Sequence, residues 1–313
     1  MSGDVTEKPQ LGESQGPVLV TGATGRQGGA VVEHLLRAGI PVRALCRDPS
    51  SARARGLSDR GVPVVAADLD RPASIVRALE GAAGVFSVQN YWDPHVGYAG
   101  EIRQGRSLAE AARRAGVQLF VQSTMADADE DLAPLPKHFL SKRRIEQIID
   151  DTGLPRTFIG TVFFMDNIGD KAMGGPLLFP MLAGTLERDT KLQMLAVTDI
   201  GRAAAAAFAE PSRFVGRRLD LVGDVLTVPQ MRSVYRRATG RRPASWAMPA
   251  TVSRRFSPEF VEQLEWQVRA GFTATPEEAR SRVPGLHDLE HHLRSHGPQA
   301  SPDRAVPQTE VAA

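Results

Sequence analysis

Two groups of residues have the types and the spacing that chemistry needs. The first is Thr21-Gly22-Ala23-Thr24-Gly25-Arg26-Gln27-Gly28-Gly29, placed between the apolar run Val18-Leu19-Val20 and a stretch with helical apolar spacing at Val31, Val32, Leu35 and Leu36. Strand, tight glycine turn and helix, in that order, open a dinucleotide-binding unit. The pyrophosphate of such a ligand sits at the helix N-terminus, where unpaired N–H groups and the helix dipole favour negative charge. Gly22 permits the sharp turn, Gly25 lets the backbone approach a pyrophosphate, and Gly28 lets the helix pack close to the strand. Thr24, Arg26 and Gln27 share that turn and join the cofactor-binding set. The second group is His138-Phe139-Leu140-Ser141-Lys142, on a predicted helix where residues four apart share a face. Lys142 is a candidate cofactor contact there, and a histidine titrating near neutrality can serve as acid or base. The alternative for this pair is a solvated patch of helix surface.

Further candidates fall where strands end, which is where ligands bind in open parallel sheets. Arg47 lies 19 positions after Gly28, at the end of the second predicted strand. An acidic residue there suits the 2′-hydroxyl of NAD, whereas an arginine suits the 2′-phosphate of NADP(H) through charge-assisted contacts. Arg26 is expected to reach the same phosphate. Asp48 follows directly, so a small register shift would put a carboxylate at the ribose. Asp68 and Leu69 end the third strand, to accept from the adenine amine and to pack on its ring. Asp70 is expected to cap the helix that begins near Pro72. Gln89 and Asn90 follow the fourth strand, at the ribose and pyrophosphate, and Ser123 and Thr124 end the fifth, facing the nicotinamide. Phe163, Phe164, Met165, Tyr91 and Trp92 either line an apolar substrate cleft or belong to the core. His287, His291, His292 and His296 read as surface helix and Cys46 as a small buried residue, so no metal is expected.

The elements that must position these residues alternate along the chain. Strands are predicted at 41–47, 63–68, 84–88, 117–123 and 156–164, and helices at 73–79, 102–115 and 137–151. That alternation predicts an α/β fold, a Rossmann-type doubly wound parallel sheet with helices on both faces. Beyond residue 166 the pattern loosens, with strands at 191–197 and 217–222 and helices at 199–209, 229–239 and over most of 251–296. Thr198 or Asp199 is the expected cap of the 199–209 helix. The expected organisation is a flexible lead at 1–16, an NADP-binding domain at 17–165, a smaller mixed substrate lobe at 166–296 whose strands return to the sheet, and a disordered tail at 297–313.

Composition narrows the function classes. The chain has 313 residues, 42% hydrophobic and 24% charged, with a net charge of +2, so nothing marks a nucleic-acid binder. Of its 38 basic residues five are lysines, which makes Lys142 a notable choice at its position. The single cysteine excludes an internal disulfide. With no transmembrane-length apolar run and no signal peptide core, a cytoplasmic location is expected.

Taken together, VLVTGATGRQGGAVVEHLL (18–36), VRALCRDP (42–49), ADLDRPASI (67–75), GVFSVQNYWD (84–93), HFLSKRRIE (138–146) and LPRTFIGTVFFMDNI (154–168) resemble the NmrA-like family of atypical short-chain dehydrogenases. Within it the chain looks closest to the branch of NADPH-sensing redox regulators. The resemblance implies NADP(H) preference through Arg47 and a small C-terminal lobe that shapes a cleft. Short-chain dehydrogenases carry Tyr-x-x-x-Lys on the helix face held here by His138 and Lys142. There the lysine holds the nicotinamide ribose and lowers the pKa of the tyrosine. Histidine in the tyrosine's place matches the sensor branch. The resemblance therefore implies a redox sensor that reads the NADPH/NADP⁺ ratio and contacts a regulatory protein partner or a second copy of itself. The alternative it leaves is an NADPH-dependent oxidoreductase acting on a quinone or another small carbonyl or aromatic compound, catalysed through Lys142 and His138.

Overall fold

The computed structural model describes residues 16–127, 133–168 and 175–296. The expected lead, up to residue 15, and the expected tail lie outside the described residues. The first half runs β1 (Val18–Val20), α1 (Arg26–Arg37), β2 (Val42–Cys46), α2 (Ala52–Ser58), β3 (Val64–Ala66), α3 (Pro72–Leu79), β4 (Gly84–Ser87), α4 (Gly97–Arg114), β5 (Leu119–Met125), α5 (Lys137–Thr152) and β6 (Arg156–Thr161). Strands β3, β2, β1, β4, β5 and β6 lie side by side in that order, all parallel, and β9 (Arg218–Asp220) adds a seventh at the edge beside β6. The order reverses between β1 and β4, the place where such sheets open a crevice at their carboxyl ends.

Both faces of this sheet are covered, which is why β1, β4 and the first half of β5 read as apolar runs with no alternation. On one face α3, α4 and α5 bury Ile75, Leu79, Leu108, Ile145 and Ile149 against Leu19, Val85 and Phe120. On the other, α1 and α7 (Val197–Ala209) bury Val31, Leu35, Ile200 and Phe208 against Val20, Phe86 and Val121. Helix α7 lies so close to α1 that a β-carbon on Gly201 would stand 2.3 Å from the carbonyl oxygen of Ala30. The expected cap of α7 is not what the chain uses. The helix begins at Val197, whose N–H donates to Asp166 Oδ2 at 2.8 Å. Asp199 instead accepts from the His287 backbone N–H at 2.8 Å and contacts that ring's Nδ1 at 2.7 Å.

The remaining elements make a second layer over one end of the sheet. A three-stranded sheet pairs β8 (Leu192–Leu195) in parallel with β7 (Phe163–Phe164) and antiparallel with β10 (Asp224–Leu226). Around it pack α6 (Leu178–Thr185), α9 (Val228–Thr239), α10 (Ala250–Phe256), α11 (Pro258–Arg269) and α13 (Leu289–His296), with a core of Met165, Leu182, Met194, Met231, Leu264 and Leu289. Helix α9 carries a capping box in which Thr227 and Gln230 satisfy each other's backbone N–H groups. The short α8 (Pro211–Phe214) precedes β9, and α12 (Pro276–Arg282) returns the chain to the α7 face through Ala279 and Val283. One expected surface position is inside, His292, and a second, His287, is half-buried and held by Asp199. Among the described residues no helix is long and apolar enough to cross a membrane.

Candidate functional site

A cleft of about 840 Å³ runs along the carboxyl ends of the sheet, between β3 and the second layer. The glycine turn forms its floor. Gly22 has φ +60°, a left-handed conformation that favours glycine. At Gly28 a β-carbon would stand 2.2 Å from the Gly22 carbonyl oxygen, so this position admits only a hydrogen if α1 is to start where it does. Helix α1 starts after Gly25 with no side-chain cap and no acidic residue in its first turn. Its first N–H groups and its positive dipole end are therefore not countered from within the helix.

Thr24, Gly25, Arg26, Gln27 and Gly28 line this floor, together with Arg47, Asp68, Leu69, Gln89, Asn90, His138 and Lys142. Ser123 does not line it. Buried at the end of β5, it donates to Gln27 Oε1 at 2.6 Å and fixes that side chain from behind. Gln89 is fixed as well, donating to Ser87 Oγ at 2.8 Å while its Oε1 accepts from Gln122 at 3.1 Å. One oxygen of Asp68 accepts the Asp70 N–H at 3.0 Å. Asp70 does not cap α3, whose N-cap is Arg71 with Pro72 in the first turn. It is drawn instead to Arg103 at 2.8 Å and to Gln104 at 2.8 Å.

The arginines divide between the two ends of the cleft. Arg47 is 73% exposed and meets Asp93 at 3.4 Å, a long and solvated pair. Arg26, expected beside it, reaches the other way and donates to Asn167 Oδ1 at 3.3 Å, in the 3-10 turn that follows β7. The second arginine at the Arg47 end is Arg53, from the first turn of α2, which donates to the Thr24 carbonyl at 3.4 Å. Sequence reading passed over it because the ARARGLS segment shows no apolar periodicity.

At the opposite end Lys142 and His138 do share a face of α5 and line the cleft together. Their surroundings differ. The ammonium of Lys142 donates to Glu101 Oε1 at 2.6 Å, and Glu101, from α4, is completely buried. Ser141 donates to the other Glu101 oxygen. His138 has an unpartnered Nδ1 and sits among the rings of Tyr91, Trp92 and Phe139, with centroids 4.6, 5.0 and 5.6 Å away. Burial, helped by the Lys142 charge, holds its pKa down at about 3. The ring is therefore neutral at physiological pH and supplies no imidazolium proton. Tyr91 lies behind it, outside the cleft, and donates to Glu259 Oε1 at 3.1 Å. Burial and that carboxylate push the phenol above its ordinary range.

Six aromatic rings, those of Trp92, Phe139, Phe163, Phe164, Phe260 and Phe272, also line the cleft and make up its aromatic compartment. Met165 is core and does not reach it. Helix α11 supplies the outer wall with Phe260, Gln263, Leu264, Trp266 and Gln267, none of which was legible as a site residue. The signal was present, since two glutamines lie among apolar residues at helical spacing. Cys46 lines the cleft at the end of β2, where burial pushes the thiol up and keeps it protonated.

The depressed pKa of His138 has a consequence for stability. Between pH 6.5, the ordinary histidine value, and about 3 the unfolded chain takes a proton that the folded chain refuses. Stability must therefore fall as the pH falls through that window, and it is unaffected above it. At pH 5 the expected contribution is a loss of about 2 kcal/mol. Urea unfolding at pH 7 and pH 5 should show the parent losing that much more than His138→Phe. Equal losses in the two proteins would assign the titration to other groups.

Three known proteins are similar to this chain. The NAD(P)H azoreductase of Xenophilus azovorans is 33% identical over 198 residues, which is 62% of this chain and 64% of the relative, so the chain spans less than two thirds of that protein. Triphenylmethane reductase of Citrobacter sp., solved with NADP(H), superposes with a TM-score of 0.73 at 20% identity, over 89% of this chain and 99% of the other. NmrA, a negative transcriptional regulator solved with NADP, superposes with a TM-score of 0.72 at 22% identity, over 91% and 96%. At such identities the structures share the fold, and the fold hosts both reductases and a regulator. The model of the NmrA-like family matches residues 14–275, and the chain belongs to that family.

Proposed function

We propose that the protein binds NADP(H) along the floor of the cleft and reduces a planar conjugated small molecule held in the aromatic compartment. The observation that carries this reading is the compartment itself. A cavity walled by Trp92, Phe139, Phe163, Phe164, Phe260 and Phe272 continues from the glycine turn past Lys142. An aromatic-lined space suits a flat apolar ligand. The residues present fit the cofactor. The uncapped α1 N-terminus and the close Gly22–Gly28 approach suit a pyrophosphate, and Arg47 with Arg53 suits a 2′-phosphate. When bound, the nicotinamide supplies hydride. Lys142, held by Glu101, would donate to the ribose and set the depth of the ring. Ser123 would act through Gln27, keeping it off the pyrophosphate path. Neutral His138 would form an apolar wall and not an acid, so the proton must come from water. Quinones suit this arrangement, because they accept hydride without a dedicated acid.

A second reading has its own observation. Lys142 is tied to a fully buried carboxylate and no tyrosine stands at the His138 position, an arrangement that suits a sensor binding NADP(H) without turnover. Calorimetry with NADPH, NADP⁺ and NADH, followed by a quinone, aldehyde and azo dye panel monitored at the nicotinamide absorbance, separates the two. Quinone-dependent NADPH loss is the expected result. Tight NADPH binding with no consumption across the panel would make the protein a sensor.

A further inference from the structure

The net charge of +2 conceals an uneven distribution. Between Asp224 and Glu259 the chain holds seven arginines and no acidic residue, so this stretch is far more positive than the whole chain and the rest is net negative. Arg232, Arg236 and Arg237 belong to α9, Arg241 and Arg242 to the loop after it, and Arg254 and Arg255 to α10. Arg232 donates to the Trp246 carbonyl at 3.0 Å, which folds the loop back along α9. Arg237 pairs with Glu290 at 2.8 Å and Arg254 with Glu265. Arg236, Arg242 and Arg255 are exposed and have no ionic partner among the described residues. Bulky apolar side chains project from the same stretch. Trp246 is 52% exposed and Phe256 71%, and Val252 is exposed as well. Val252 and Phe256 stand four apart on α10 and share a face, so they form a ridge. Another side of α10 holds it to the protein, through the completely buried Ser253. Apolar side chains that project into water beside unpaired cations mark a surface that meets something else.

We propose that α10 and the loop before it dock the protein reversibly on an anionic membrane surface. Phe256, Val252 and Trp246 enter the boundary between headgroups and acyl chains, and the arginines meet lipid phosphates. The arginines are spread over three consecutive segments, which suits a plane of headgroups better than one carboxylate or one phosphate. Val252 offers no ring on which a base could stack, so the ridge fits acyl chains better than nucleic acid. Both signals are needed, because neither a few cations nor a small apolar ridge holds a protein to a bilayer alone. The docking does not depend on the reductase reading above, but it bears on it. Helix α11, the outer wall of the cleft, starts at Pro258, two residues after Phe256. Docking would bring that wall to the layer in which flat apolar molecules accumulate.

Co-sedimentation of the full chain with lipid vesicles tests this. Vesicles of equal parts phosphatidylcholine and phosphatidylglycerol should bind the protein at least about tenfold more tightly than pure phosphatidylcholine, and less tightly as salt rises. On the mixed vesicles tryptophan emission should shift to the blue, and Trp246→Phe should remove that shift while the protein still pellets. Phe256→Ser with Val252→Ser should weaken binding about tenfold. Arg236→Gln, Arg242→Gln and Arg255→Gln together should abolish the preference for the anionic lipid. All five side chains are exposed, so both variants should keep the parent's circular dichroism and urea midpoint. If one set fails to fold, the other decides the matter. No pelleting with either vesicle, equal binding by the parent and both variants, or a blue shift that survives in Trp246→Phe overturns the proposal. Where nothing pellets, capture of polyuridylate would give the arginines to nucleic acid. A parent dimer that Phe256→Ser turns into a monomer would then give the ridge to a second copy of the chain.

Discussion

Glu101→Ala is expected to cost about 3–5 kcal/mol of folding stability, a large share of the roughly 5–15 kcal/mol that holds a protein of this kind together. The alanine would leave the Lys142 ammonium buried at the end of the cleft with its 2.6 Å partner gone, and the Ser141 hydroxyl with the His138 carbonyl as its remaining acceptor. The penalty comes from the stranded charge and not from the lost attraction, because desolvating two ions cancels most of what their pairing gains. That distinction can be tested. Glu101→Ala combined with Lys142→Met should recover most of the loss, since the methionine fills the lysine's path with apolar volume. Urea midpoints of the parent, both single variants and the double variant give the coupling directly. A double variant as unstable as Glu101→Ala alone would show that packing at Glu101, and not charge, sets the cost.

The second large effect is on cofactor choice. Arg47→Ala should weaken NADPH binding about tenfold, and Arg47→Ala with Arg53→Ala about a hundredfold, while NADH binding changes by less than about threefold. The single change is the smaller because Arg47 is 73% exposed, where solvent and salt screen its charge. Raising the ionic strength should therefore narrow the gap between NADPH and NADH in the parent and leave it unchanged in the double variant. Calorimetric dissociation constants at two salt concentrations measure both. Equal loss of NADPH and NADH would move the role of these arginines from the 2′-phosphate to the pyrophosphate, which both cofactors carry.

Much of the sheet was legible because strands covered on both faces are dominated by apolar residues, as Val18–Val20, Gly84–Phe86 and Leu119–Val121 are; the polar Gln122, Ser123 and Thr124 lie at the carboxyl half of β5 that borders the cleft. The glycine turn was legible for a similar reason: Gly28 faces a carbonyl that no side chain could approach. What stayed hidden depended on tertiary context. Helix α4 begins at Gly97, five residues before the expected start, and the segment so added holds the buried Glu101. Its position on the apolar stripe with Leu108, Ala111 and Ala112 was the available signal, but a glutamate near a helix start reads as solvated until the buried Lys142 opposite is known. Helix α6 carries a proline, and strand β10 is three residues long, too short for alternation to register. The cleft wall of α11 comes from a part of the chain where no local pattern says which helix will lie over which strand.

The way β9 rejoins the large sheet bears on how proteins of this shape can exchange specificity. After β6 the chain leaves to build β7, α6 and β8, comes back as α7 against α1 and as β9 against β6, and then leaves again to build α9, α10 and α11. The outer wall of the cleft is thus encoded in two stretches, with a piece of the cofactor scaffold between them. A single recombination crossover after β6 would bring in a foreign α7 and edge strand along with the new wall, and Gly201 would have to meet an unrelated α1. Inheriting a new substrate preference intact takes two exchanges that spare residues 197–222. Point changes on α11 need none, so divergence among relatives should accumulate on that helix sooner than by shuffling of whole lobes.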